Sequence, residues 1–198
     1  AKAVYGEESF TRMYGEIAPA PVGRVREAAD GSRWTLGRRE LLVRDTPGHA
    51  RHHFCVWDET SRGWFTGDTF GIAYRELYCG GEPYLIPTTT PVQFEPEALL
   101  ASIELLMAAE PRYCYLTHFG RIAASAHHAG SLRRQVLDYV RLAEGIDITD
   151  PHAQAALTEA LTTYTLEGLR AAGSTLPVTA LRALLALDMD LSAQGLVH

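Results

Sequence analysis

Lysine is almost missing from this 198-residue chain: Lys2 is the sole one, and arginine carries nearly all of the positive charge. No Lys/Arg cluster forms a stripe, and 24 acidic against 18 basic residues leave a formal charge of −6. Phosphate binding needs concentrated positive charge, so a nucleic-acid partner is not expected. Long apolar runs are missing too. None approaches the ~20 residues a membrane span requires, and no signal peptide can be read at the start, so no membrane partner is expected either. Cysteine is scarce. Cys55, Cys79 and Cys114 are widely spaced and odd in number, which excludes a disulfide framework and a CxxC pair and fits a reducing, cytoplasmic compartment. Cys55 and Cys114 lie in apolar, strand-like runs and read as small buried hydrophobes, whereas Cys79 sits in a glycine-rich loop.

What is present is an ordinary globular composition, 46% hydrophobic, enough for one large domain or a domain with an appendage. Residues 1–18 read as a short helix, with Val4, Phe10, Met13, Tyr14 and Ile17 at helical spacing and Pro19 and Pro21 ending it. Strand signals follow at 33–36, 40–44, 53–57 and 64–66, separated by polar turns. Residues 71–94 hold glycines, prolines and aromatics with little periodicity. Their Glu82–Pro91 stretch cannot be a central strand, and so long an ordered loop suits a lid or wall over a site. Pro96 opens a helix with an apolar face of Leu99, Leu100, Ile103, Leu106 and Met107, and Arg112–Thr117 is the next strand. The order over 33–118 is thus four strands, a helix and a strand. Beyond 120 the pattern is helical: one helix around Leu132–Leu142, a second from Asp150-Pro151 to about Arg170 with Gly173 stopping it, and a third opened by Pro177.

Three turns stand out. Thr46-Pro47-Gly48-His49, Gly67-Asp68-Thr69-Phe70 and Leu116-Thr117-His118-Phe119-Gly120 each set one metal-binding side chain just after an apolar strand-like run. Pro47 and Gly48 force a tight backbone path, and Gly67 permits an unusual backbone angle before Asp68. Imidazole nitrogens and a carboxylate suit zinc, iron or manganese. Three potential ligands at the ends of three separate strands form the pattern of a metal site, not of a core. Three are nonetheless too few to close a two-metal site.

The ordered trio resembles the metallo-β-lactamase-fold hydrolases, the broad superfamily that includes glyoxalase II, over roughly residues 1–120. The resemblance implies an α/β fold, an αββα sandwich, of which this chain would carry the second half (1–120) followed by an all-helical C-terminal extension (121–198). It implies that His49 completes the first metal's histidines, that Asp68 bridges two metals, and that His118 is the last histidine of the second. Two zinc ions per complete site are implied, with iron or manganese as alternatives. The chemistry would be attack of a metal-bound hydroxide on an ester, thioester, lactone or amide carbonyl of a small-molecule substrate. The family's leading His-x-His-x-Asp-His motif is absent. Adjacent pairs such as His52-His53 and His127-His128 do not replace it, because neighbouring side chains in a strand face opposite ways. With Ala1 already inside a helical pattern, the chain reads as a piece of a longer polypeptide. Such a piece would be inactive alone and would hold no fully occupied dinuclear site.

Around the trio, His53 is a candidate to orient a ligand or carboxylate, and Arg75 and Tyr84 are candidates for the substrate side of the long loop. The helical extension is expected to pack on the chain's own core, with a homodimer through its Leu181, Leu184, Leu185 and Leu187 face as the rival. Two other functional readings stand beside hydrolysis. One is a mono-iron enzyme resembling the persulfide dioxygenases, in which His118 would be free. The other is a non-catalytic relative acting as an interaction module.

Overall fold

The computed structural model describes residues 7–90 and 93–197. Helix α1 spans Glu7–Tyr14, ending four residues before the expected end at 18, because Gly15 adopts a left-handed φ of 64° and stops it. Residues 1–6 of that expected helix, and the side chains of Met13 and Tyr14, lie outside the described residues.

Strands β1 (Arg33–Leu36), β2 (Arg39–Asp45), β3 (Phe54–Asp58) and β4 (Gly63–Gly67) form an antiparallel meander. A two-residue hairpin, β5 (Tyr78–Cys79) with β6 (Glu82–Pro83), stands apart as its own small sheet. Helix α2 (Pro96–Ala108) then carries the chain over to β7 (Tyr113–Leu116), which pairs with β4 in parallel. An additional strand, β8 (Gly120–Ala123), turns back antiparallel on β7 and completes a six-stranded sheet of order β1-β2-β3-β4-β7-β8. The strand order expected for 33–118 is therefore present, with β5, β6 and β8 added to it.

Alternation along the strands divides the sheet. Cys55, Trp57, Trp64, Cys114, Leu116 and Ile122 face the helices and join Leu99, Ile103 and Leu106 of α2 and Ala129, Leu132 and Val136 of α3 (Ala126–Glu144) in one core. The Trp64 indole N–H donates to Leu106 O at 2.9 Å, so the large ring is buried without an orphaned donor. On the opposite face Phe65 stacks on Tyr115 with centroids 4.7 Å apart and stays half exposed.

Helices α4 (Ala153–Ala171) and α5 (Val178–Val197) build a second core with Ile72, Leu77 and Ile86 of the long loop. Tyr139 of α3 joins it, so α3 serves both cores. Asp150 lies ahead of α4 and not at its cap; its carboxylate accepts from the His152 N–H at 2.7 Å, in a turn before the helix begins at Ala153. Leu181 and Leu185 are fully buried, and Leu187 points away at 67% exposure. No helix among the described residues is long and apolar enough to cross a membrane.

Strand direction is what places the site. Strand β2 is antiparallel to β3 and β3 to β4, so β2 and β4 run the same way; β7 is parallel to β4. All three C-terminal strand ends leave the sheet at one edge, and His49, Asp68 and His118 follow those ends.

Candidate metal centre

Asp68 stands in the middle. Its Oδ2 lies 3.6 Å from His49 Nε2, and its Oδ1 lies 3.6 Å from His118 Nε2. Oδ1 is buried and accepts no hydrogen bond among the described residues. A buried carboxylate oxygen without a donor costs free energy unless a positive group meets it. The two imidazoles address different oxygens, and among the described residues no three His, Cys, Asp or Glu side chains close around a single point. The geometry is thus two His–carboxylate pairs sharing one carboxylate.

The His49 turn is built against α2. Gly48 has φ 129°, and a Cβ on it would fall 2.2 Å from the Leu99 backbone nitrogen, so only glycine brings this turn onto the helix. The Glu95 N–H donates to Gly48 O at 2.8 Å, and the Ser102 hydroxyl to Pro47 O at 2.7 Å. Thr88, in the long loop, donates its hydroxyl proton to Asp68 O at 3.0 Å. His49 Nδ1 then faces two oxygens, Thr88 O at 3.3 Å and Thr88 Oγ1 at 3.2 Å, and so carries the ring proton. Its Nε2 is left aimed at Asp68 Oδ2. A ring nitrogen facing a carboxylate oxygen across 3.6 Å is an arrangement a divalent cation would satisfy.

His53, expected as an orienting residue, stands behind the carboxylate. The Asp68 N–H donates to its Nε2 at 3.1 Å, and its Nδ1 lies 3.0 Å from both Thr46 Oγ1 and Thr69 Oγ1. Burial depresses the pKa of this ring, and the neighbouring His49 works in the same direction, while Asp68 opposes both. The ring is held neutral, the form that can accept the Asp68 amide. Gly67 makes the approach possible: it has φ 51°, and a Cβ there would lie 2.2 Å from His53 Nε2. A register shift between Phe65 and Gly67 loosens β4 at that point.

His118 is the most open of the three, its side chain 55% exposed. Phe119 after it has a left-handed φ of 72°, which is unfavourable for an aromatic residue. Arg75 reaches this loop: its Nη2 is 3.7 Å from where a Cβ of Gly120 would stand, and its guanidinium lies over Tyr78 at 5.5 Å. Tyr84 goes elsewhere. Its hydroxyl packs against Gly168 of α4, and it lines a cavity of about 460 Å³ with Cys79, Glu82, His128, Arg134 and Tyr164 that none of the trio lines. Sequence reasoning missed Tyr74 and Asp188, whose hydroxyl and carboxylate meet at 2.7 Å. Burial raises the Asp188 carboxyl above its usual range, against the pull of nearby His118 and of the Tyr74 hydrogen bond.

Residues 5–118 match the sequence model of the metallo-beta-lactamase superfamily, and the chain belongs to that superfamily. Solved structures of similar fold include an archaeal metallo-beta-lactamase superfamily protein from Sulfolobus tokodaii. It shares 20% identity over 92% of this chain and 61% of its own, at a TM-score of 0.50. A metallo-beta-lactamase family protein from Thermus thermophilus matches at 19% identity over 94% of this chain and 60% of its own, TM-score 0.54. A beta-lactamase domain protein from Burkholderia ambifaria matches at 15% identity over 98% and 52%, TM-score 0.55. The chain therefore spans between 52% and 61% of the length of these structures. Members of this superfamily are generally metal-dependent hydrolases that bind one or two metal ions, often zinc.

Proposed function

We propose that this chain forms part of a metal-dependent hydrolase in which Asp68 bridges two divalent cations, zinc in the first instance, with His49 and His118 as one ligand to each. The observation that carries the reading is the opposite placement of two imidazole Nε2 atoms, each 3.6 Å from a different oxygen of one carboxylate. The orphaned Oδ1 supports it, because a cation there would satisfy an atom that no donor among the described residues reaches. A single-iron reading leaves His118 without a role, and its position on Oδ1 favours two cations. Bound divalent cations would supply Lewis acidity and lower the pKa of water beside a small-molecule ester, thioester, lactone or amide.

The chain's own part is positioning. Thr88 fixes the His49 tautomer and turns Nε2 inward. His53 holds the Asp68 amide and hence the carboxylate. Arg75, beside the His118 loop, would meet an anionic group of a substrate.

Cobalt or zinc uptake by the chain tests the reading, measured by equilibrium dialysis and by elemental analysis. His49→Ala, Asp68→Asn and His118→Ala should each weaken uptake, with Asp68→Asn the most damaging because it serves both cations. Carbonyl hydrolysis, assayed in the natural full-length protein with nitrophenyl esters and thioesters, should fall with metal content. Metal uptake indifferent to all three substitutions would end the proposal.

A further inference from the structure

The last helix meets the long loop at two points, each one step from a histidine turn, and it does so with one face. Asp188, Ser192 and Gly195 recur at the spacing that puts them one above another on α5. At the far end of that face, a Cβ on Gly195 would lie 1.9 Å from Thr89 O, and the Thr89 hydroxyl donates to Ser192 O at 2.9 Å. Thr89 follows Thr88, which meets His49 Nδ1. At the near end, the Tyr74 hydroxyl donates to Asp188 Oδ2 at 2.7 Å. The Tyr74 ring lies against Phe119, with centroids 4.0 Å apart at 31°. Phe119 is 42% exposed, so burial alone does not pin it, and its φ of 72° is one that persists only where surroundings impose it. His118 is the next residue back along the chain.

We infer that Asp188 is a positioning residue: acting through Tyr74 and Phe119, it fixes where His118 Nε2 stands relative to Asp68, so that the C-terminal helix helps to shape the centre. The importance of that position rests on the reading of His118 as a metal ligand. The placement of the loop itself does not, and this separates the two in experiment. Tyr74 is held at one end by a charge-assisted hydrogen bond and offers its face at the other. With the carboxylate gone, the ring loses its anchor and the strained Phe119 backbone is free to relax, taking His118 with it.

The test uses the whole chain with Asp188→Ala, Asp188→Asn, Tyr74→Phe and, as a control that removes only a surface hydrogen bond to Asp190 of the same helix, Gln154→Ala. Two quantities are read: amide hydrogen exchange over 117–121 without metal, and cobalt affinity from visible absorption. Asp188→Ala should speed exchange on the order of 10-fold, the effect of losing one charge-assisted hydrogen bond, and weaken cobalt binding by about 10- to 100-fold. Asp188→Asn keeps an oxygen acceptor and should recover most of both, and Gln154→Ala should change neither. Tyr74→Phe should move both in the direction of Asp188→Ala, and it carries the test if that variant fails to fold. Unchanged exchange over 117–121 in Asp188→Ala and Tyr74→Phe overturns the inference. So does an Asp188→Asn as damaging as Asp188→Ala with protection lost throughout α5. If exchange responds as expected and the natural full-length protein takes up no cobalt, the metal reading fails while the positioning of the His118 loop stands.

Discussion

Gly67→Ala should be among the costliest single-methyl additions in this protein, and the structure gives the size of the cost. The backbone at Gly67 is left-handed, φ 51°, which an L side chain occupies at a penalty of roughly 1–2 kcal/mol. The new Cβ would stand 2.2 Å from His53 Nε2 and 2.7 Å from its Cε1, against an ordinary contact of about 3.5 Å. The imidazole must retreat by about 1 Å, and it is not free to do so. Its Nδ1 sits between Thr46 Oγ1 and Thr69 Oγ1 at 3.0 Å, and its Nε2 takes the Asp68 N–H at 3.1 Å. Breaking these bonds in a half-buried setting costs about 1 kcal/mol each and more where a donor is orphaned. The sum is about 3–5 kcal/mol, a large share of the roughly 5–15 kcal/mol that holds a domain together.

Urea unfolding followed by circular dichroism measures it directly, as a midpoint shift at constant slope. The decisive comparison is a double-mutant cycle with His53→Ala. Without the imidazole the clash disappears, and Gly67→Ala should then cost only its backbone part, leaving a coupling of about 2 kcal/mol. Equal cost in both backgrounds would show that the ring is not what the methyl meets. A cost under about 1 kcal/mol in the unaltered chain would refute the reasoning altogether.

Two further outcomes follow from burial. The folded protein binds a proton at His53 less readily than the unfolded chain does, because the buried ring has a depressed pKa. The unfolded state therefore takes up more protons below about 6.5, so stability is full above that value and declines as pH falls toward the folded-state pKa. Urea midpoints at pH 7.5 and 5.5, without metal, should differ less in His53→Ala than in the unaltered chain, and an identical difference would remove His53 from the account. Burial also pushes the Cys55 and Cys114 thiols up to about 12, and raises Cys79 in its more open loop. Ellman's reagent at pH 8 should label Cys79 slowly and spare the other two until denaturant is added, when all three react; rapid native labelling of Cys114 would contradict the packed strand β7.

What could be read from the chain and what could not divides along the range of the interactions. His49, Asp68 and His118 were legible because each depends on chemistry within a few residues: Pro47-Gly48 bends the path after β2, and Gly67 takes the one backbone angle that turns Asp68 under His53. That the three turns leave one edge of the sheet rests instead on pairing: β2 and β4 run the same way and β7 lies parallel to β4. Strand β8 was not legible, because Gly-Arg-Ile-Ala is too short to show a period and gains its place only by pairing with β7. Tyr84 was set beside the substrate from its loop, yet its position is decided by Gly168, the gap in α4 that admits its hydroxyl. Asp188 lies furthest from any local cue. Its helix reads as a Leu/Ala face turned to a core, and Leu181, Leu185 and Met189 are indeed buried there. The polar and small positions that interrupt the pattern, Asp188, Ser192 and Gly195, touch Tyr74 and Thr89 of the long loop, which in turn packs beside the two histidine turns. In an apolar helix the residues that break the stripe carry information the stripe itself does not: a half-buried acid costs too much to sit where nothing donates to it. Its presence there requires a partner such as Tyr74, even when the sequence gives no hint of which residue that partner is.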